Sequence, residues 1–326
     1  MKRILSGMQP SGKLHLGNYF GALKNWVDLQ DDFECFFFIA DWHALSSLYE
    51  DPRLINSFSF EMAVDWLSAG LDPEKSTLFL QSKIPEHAEL HLMLSMMVPV
   101  PWLERNPTYK EKQDEVKKVD MSTYGFLGYP VLQTADIVLY RADFVPVGID
   151  QAPHLELSRE IVRRFHNLYK KKVFIEPDSK ISDIPKLNGL DGRKMSKSYG
   201  NVIPIFTDTN NLSKLIKRIK TNSLEPGQPK EPSNCNLFKI LKAFGSSQEI
   251  EDMRRSYEEG LGWGKIKEVL IEIIDNRLRP FREEYHRIIL DRHYLEITLK
   301  EGAEKAREVA APVLRSVRGA VGIKGF

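Results

Sequence analysis

Short apolar runs alternate with longer amphipathic ones over the first part of the chain. That alternation predicts crossover units laid on a parallel sheet. Arg3 to Ser6 reads as a strand and Gly7 to Gly12 as a Gly/Pro/Ser-rich loop. Gly17 to Leu29, with Phe20, Leu23 and Val27 at helical spacing, reads as a helix. Phe36 to Ala40 predicts a second, buried strand. Asp51 and Pro52, as N-cap and first-turn proline, open a helix running to about Gly70. Thr77 to Leu80 predicts a third strand, and Glu86 to Met97 a helix.

The pattern then breaks. Glu104 to Lys118 has mixed charges and no apolar period, as expected of an inserted surface excursion. Leu127 to Tyr140 resumes helical spacing and leads into a strand over Asp143 to Gly148. Asp150 is placed to cap a helix whose Leu157, Ile161, Phe165 and Leu168 share one face. Lys172 to Ile203, rich in proline and glycine, reads as loop and as a domain transition. Beyond Asp208 the chain is helical, with one apolar stripe from Ile266 to Leu278 and another from Ala306 to Val317. The expected fold class is α/β: a Rossmann-like parallel-sheet domain over 1–204, with an inserted segment around 100–125 and a mobile loop at 192–201. An α-helical domain follows over 205–326, its last helix free to pack back on the first domain.

Composition narrows the class. The 326 residues carry 46 Lys+Arg against 45 Asp+Glu, a formal net charge of +1, so bulk attraction to nucleic acid is excluded and any such contact must be local. With only Cys35 and Cys235, neither a disulfide scaffold nor a Cys-rich metal site is expected. The N-terminus lacks the apolar run of a signal peptide. No window approaches the roughly 18 apolar residues of a spanning helix, so a cytoplasmic protein without membrane contact is expected.

Two segments carry candidate chemistry. Gln9-Pro10-Ser11-Gly12-Lys13-Leu14-His15-Leu16-Gly17-Asn18 lies where the first strand hands over to the first helix, the place where open α/β sheets bind ligands and helix N-termini favour phosphate. Its spacing fits neither a dinucleotide fingerprint nor a P-loop, and such a loop alone is more often a plain turn. The second segment, Gly192-Arg193-Lys194-Met195-Ser196-Lys197-Ser198-Tyr199-Gly200-Asn201, alternates cations and hydroxyls between glycines. Two ammonium groups held so can stabilise charge developing at a polyphosphate; alone, a solvated basic loop describes it as well.

Together and in this order, the two segments resemble the signature motifs of class I aminoacyl-tRNA synthetases. Lys194-Met195-Ser196-Lys197-Ser198 is identical to the family's mobile loop, and Asn18 stands where its first motif usually has a second histidine. Gly7 to Gly12, Gly17 to Leu23, Asp136 to Tyr140 and Val145 to Gln151 extend the resemblance to the bacterial tryptophanyl branch. It implies activation of L-tryptophan with ATP and Mg²⁺, transfer to tRNA(Trp), a homodimer, and a helical anticodon-binding domain over 205–326. By the same resemblance Gln9, Pro10, Ser11, Gly17, Asn18, Gly148, Ile149, Asp150, Leu187, Met195, Ser196 and Ser198 would line the ATP site. His15, Asn18, Lys194 and Lys197 would be the catalytic groups at the phosphates. Asp136 would accept the indole N–H, within a pocket of Leu5, His43, Tyr129, Gln133, Val145, Val147 and Gln151. From the residues alone, Asp136 inside an apolar run is equally a helix-surface carboxylate facing water. Gln133, found also in the related tyrosine enzymes, keeps tyrosine as a second specificity.

Two basic windows, Arg159 to Lys172 and Lys214 to Lys230, are candidate tRNA contacts or simply solvated faces. The apolar run Leu92 to Leu103 with Trp102 suits either a dimer patch or an internal helix. Two further readings share the motifs: a nucleotidyltransferase acting without tRNA, and a non-enzymatic RNA-binding paralogue.

Overall fold

The computed structural model describes residues 1–106, 122–148, 152–181 and 187–323. Five parallel strands, β1 (Arg3–Met8), β2 (Glu34–Ile39), β3 (Ser76–Leu80), β4 (Phe144–Val147) and β5 (Asp178–Ile181), lie in the order β3-β2-β1-β4-β5. The chain moves outward from β1 to β3, then returns to the far side of β1 for β4 and β5. The crevice between the C-terminal ends of β1 and β4 is therefore the topological switch point, where such sheets bind ligands.

Successive strand residues point to opposite faces, and the sheet buries both. Ile4, Phe37, Ile39 and Leu78 pack on one side with the first helix and most of the C-terminal helices. Leu5, Phe36, Phe38 and Phe79 pack on the other. The first helix, α1, runs from Leu16 through Leu29 with its middle turn, Tyr19–Leu23, wound as a π-helix. Such turns redirect side chains and often mark functional sites; here Gly21 and Ala22 of that turn face the crevice.

Helices α2 (Asp41–Leu48), α3 (Arg53–Ser68), α4 (Glu86–Ser95), α5 (Val100–Glu104), α6 (Tyr124–Leu139) and α7 (Ala152–Tyr169) complete the sheet's cover. α2 follows β2 with no intervening loop, so no turn residues announce it in sequence. Asp51 does not cap α3. Pro52 holds the N-cap position, and the Asp51 carboxylate instead takes Nε and Nη2 of Arg53 at 2.7 and 2.9 Å, a fork-to-fork pairing that satisfies both oxygens. β5 lies within the stretch expected to be loop; as a four-residue edge strand of mostly polar sequence it carries no apolar alternation.

Beyond Ile205 come α8 (Thr209–Arg218), α9 (Asn236–Phe244), α10 (Ser247–Glu258), α11 (Trp263–Ile288) and α12 (Arg292–Ala320). Asp208 caps α8 by accepting from Asn211 N–H at 2.9 Å. α12 lies along β3 so closely that a Cβ on Gly302 would stand 1.8 Å from the Leu78 carbonyl oxygen. Its Ala306, Ala310, Val313 and Val317 join the second core cluster, and Arg307 pairs with buried Glu86 at 2.7 Å. Among the described residues no helix is long and apolar enough to cross a membrane.

Candidate active site

The crevice at the switch point holds a cleft of about 320 Å³, in the size range of small-molecule sites. β1 and its following loop supply Leu5, Gly7 and Gln9; β4 supplies Val145, Val147 and Gly148; α2 supplies His43 and α6 supplies Tyr129, Gln133 and Asp136. Gly7 is required by close approach, since a Cβ there would meet the Phe38 ring at 2.4 Å. The expected pocket residues thus converge on one cleft, apart from Gln151, which with Ile149 and Asp150 lies outside the described residues.

Asp136 is 1% exposed, so it is not a helix-surface carboxylate. Its Oδ1 accepts from Gln81 Nε2 at 2.8 Å and from His87 Nδ1 at 2.7 Å, and its Oδ2 accepts from His43 Nε2 at 2.8 Å. Burial works to raise its pKa, but the hydrogen bonds from His43 and His87 overcome that and hold it at about 2. The carboxylate is ionised, which obliges each facing histidine nitrogen to carry a proton. On its other edge His87 Nε2 lies 2.8 Å from Tyr140 Oη, and burial pushes that phenol well above its ordinary pKa, so the hydroxyl keeps its proton. Tyr129 Oη lies 2.6 Å from His154 Nε2 on the opposite wall. Gln81, His87, Tyr140 and His154 escaped sequence reading. Gln81 follows the C-terminal end of β3 directly, and a polar residue at a strand end is the signal that could have found it; His87, in the first turn of the next helix, carries no such signal.

The two motif segments meet beside this cleft. Leu16 N–H donates to Ile203 O at 2.9 Å and Ile205 N–H to Leu14 O at 3.2 Å, so the segment leaving the second loop is clipped to the start of α1. Lys197 Nζ donates to the carbonyls of Ser11 and Gly12 at 2.7 and 2.8 Å. Pro10 is buried beneath this turn. Met195 is buried and would lie 3.3 Å from a Cβ on Gly17, which would also sit 2.9 Å from the His15 ring. Glycine at position 17 therefore lets histidine and loop pack over the helix start. Asn18 Oδ1 accepts the His15 backbone N–H at 3.1 Å, which leaves its amide N–H₂ as the donating end. Burial first, and Lys197 second, lower the His15 pKa to about 4, so the ring is neutral near pH 7.

The second loop is organised by Asn201, which sequence reading treated only as the segment's end. Its side chain is buried, donating to Asp191 Oδ1 and Lys194 O at 2.8 and 3.1 Å and accepting from Ser196 N–H at 2.8 Å. Gly192 and Gly200 take positive φ, which lets the loop reverse at each end. Lys194 is exposed, Ser196 and Ser198 hydroxyls lie 2.7 Å apart, and Leu187 is buried in the core beneath.

The basic windows separate into two kinds of residue. Arg159 pairs with Glu156 and Asp178, Arg163 with Glu156 and Glu176, and Arg164 binds Met97 O and covers Trp102. Lys230 is buried, its ammonium on the carbonyls of Glu225, Gln228 and Gly260. Lys170, Lys171, Lys172, Lys214, Lys217, Arg218 and Lys220 are exposed. The Leu92 to Leu103 run divides likewise, with Leu94 and Leu103 in the core and Leu92, Met96 and Val100 in solvent.

A parallel sheet with these two motifs joined at its switch point defines an aminoacyl-adenylate type of site, and comparison with known proteins fixes the family. The family model for class I tRNA synthetases (W and Y) matches residues 1–279, and the chain belongs to that family. The tryptophan–tRNA ligase of Thermotoga maritima is 46% identical over 98% of this chain and 99% of its own. That of Rhodopirellula baltica is 40% identical over 99% of this chain and 100% of its own. The crystal structure of tryptophanyl-tRNA synthetase from Campylobacter jejuni, complexed with ADP and tryptophan, superposes with a TM-score of 0.89 at 38% identity, covering 98% of this chain and 99% of that one. Membership in this family sets aside the reading as a nucleotidyltransferase of another class.

Proposed function

We propose that the protein activates L-tryptophan with ATP to tryptophanyl-adenylate, releasing pyrophosphate, and then transfers tryptophan to the 3′ end of tRNA(Trp). The observation that carries the amino-acid choice is the state of Asp136. An ionised carboxylate offers about four acceptor positions, and Gln81, His87 and His43 fill three. The fourth is left for one donor entering the cleft, and the indole N–H is such a donor. A buried acceptor discriminates sharply against phenylalanine, whose ring has no donor and would leave it unpaired. Gln133 lines the same cleft and keeps tyrosine as the competitor to test.

On this reading the α-phosphate and pyrophosphate of ATP lie between the first motif and the second loop. Gln9 and Gly148 border the nucleotide, Asn18 donates to a phosphate oxygen, and neutral His15 donates or accepts without carrying charge. Lys194 and Lys197 stabilise negative charge as pyrophosphate departs, and Ser196 and Ser198 complete the cradle. The described residues group no three His, Cys, Asp or Glu side chains as a metal cage. Mg²⁺ would enter as an ion carried on the ATP phosphates, where it would neutralise phosphate charge. Residues 1–204 form the catalytic domain and 205–326 the anticodon-binding domain in this proposal. Exposed lysines of the two windows supply phosphate contacts, while the buried or paired cations do not. The exposed Leu92, Met96, Val100 and Tyr124 suit a homodimer contact in a cytoplasmic enzyme.

Charging of tRNA tests the second half-reaction. With ATP, tRNA(Trp) and labelled amino acid, tryptophan is esterified to the tRNA and tyrosine is not. Activation without any charging would reduce the protein to an adenylate-forming enzyme and overturn the tRNA assignment.

A further inference from the structure

Asp65 on α3 is 1% exposed, yet it lies outside the tryptophan cleft and has no place in the reaction described above. Its Oδ2 accepts the Leu14 N–H at 3.0 Å, anchoring the first motif one residue before His15. The charges facing it come from every neighbouring segment. Lys13 and Lys197 from the two motif loops favour its ionised form, and Glu61 on its own helix opposes it. Tyr285 from α11 feels both carboxylates, with its phenol pushed up mainly by burial. Conversely, burial lowers the Lys197 pKa, while the fields of Asp65 and Glu61 restore part of the loss. A buried carboxylate thus joins the turn that carries the first motif to the lysine of the second.

We propose that Asp65 is a positioning residue for activation: its buried carboxylate fixes the Leu14 turn and supplies the negative charge that holds the Lys197 ammonium seated over Ser11 and Gly12. The inference deepens the proposed activation reaction and rests on it. Burial raises the Asp65 pKa to about 7 against the help of the Leu14 hydrogen bond and the two lysines. His15, lowered to about 4, stays neutral through that range and cannot supply a transition there. Activation therefore rises with pH through about 7 as Asp65 ionises. The sign for stability is opposite. A carboxyl whose folded pKa exceeds its unfolded value of about 4 gives full stabilisation below that value and loses it as pH climbs to the folded pKa.

The test is Asp65→Asn, which keeps an oxygen for the Leu14 N–H and removes the charge. Tryptophan-dependent pyrophosphate exchange is followed from pH 5.5 to 8.5 beside thermal melting. The variant loses the inflection near neutrality, turns over about tenfold more slowly at pH 8, and keeps its KM for tryptophan. It also melts about 2–4 °C higher than wild type at pH 8. A slower variant that melts lower and retains the inflection would reduce Asp65 to a packing residue and overturn the inference. Should Asp65→Asn fail to fold, Lys197→Ala carries the test, since its residual exchange loses the same inflection; an inflection that survives there overturns the coupling. Absence of exchange in the wild type would instead defeat the activation reaction itself.

Discussion

Replacing Asp136 by alanine raises the tryptophan concentration needed for half-maximal activation by about a hundredfold or more, while the ATP dependence changes little. A hydrogen bond to a charged group contributes about 1.5–3 kcal/mol, and its loss alone accounts for one to two decades of affinity. The substitution also strips His43, His87 and Gln81 of their shared acceptor, leaving buried donors unpaired on the floor of the cleft. That second effect lowers stability and sets the choice of readout. Steady-state KM values for both substrates, measured well below the melting temperature, separate the two. Equal losses for tryptophan and ATP would assign Asp136 a purely structural role.

Lys197→Ala lowers the activation rate by about 10²–10³-fold, the range found when one preorganised charge or donor at developing negative charge is removed. Tryptophan binding is unchanged, because Lys197 contacts Ser11 and Gly12 and does not line the cleft. The change has a signature in the resting protein as well. Lys197 contributes to the depression of the His15 pKa, so the variant's His15 titrates higher than about 4, though burial, the larger cause, still holds it below the ordinary value. Single-turnover kinetics and an NMR titration of His15 check the two halves. An unchanged rate would reject the role at the phosphates, and an unmoved His15 would reject the electrostatic contact.

The parts of the molecule legible in sequence are those with a local signal. β1 to β4 and the long C-terminal helices follow from apolar period, and the two motif segments from their residue types, their place after a strand and between glycines, and their resemblance to the family's motifs. β5 was hidden because an edge strand of four mostly polar residues needs only one paired neighbour. α2 was hidden because no turn precedes it. Within the site, Asp136, His43 and Tyr129 were reached through family resemblance, whereas His87 and Gln81 are brought to the same carboxylate from 49 and 55 residues away, a link that no local pattern encodes. Lys230 shows the converse: in sequence it extends a basic window, but three carbonyls bury its ammonium. Charge counts along a chain do not reveal which cations the fold has already satisfied.

The central claim is that this site activates tryptophan, and amino-acid-dependent exchange of pyrophosphate into ATP tests it most directly. Run with each amino acid in turn, exchange is expected with tryptophan and near background with phenylalanine, whose ring has no donor for Asp136, and with tyrosine. Exchange with tyrosine and none with tryptophan would contradict the specificity assigned to the cleft, and no exchange with any amino acid would contradict the activation chemistry altogether.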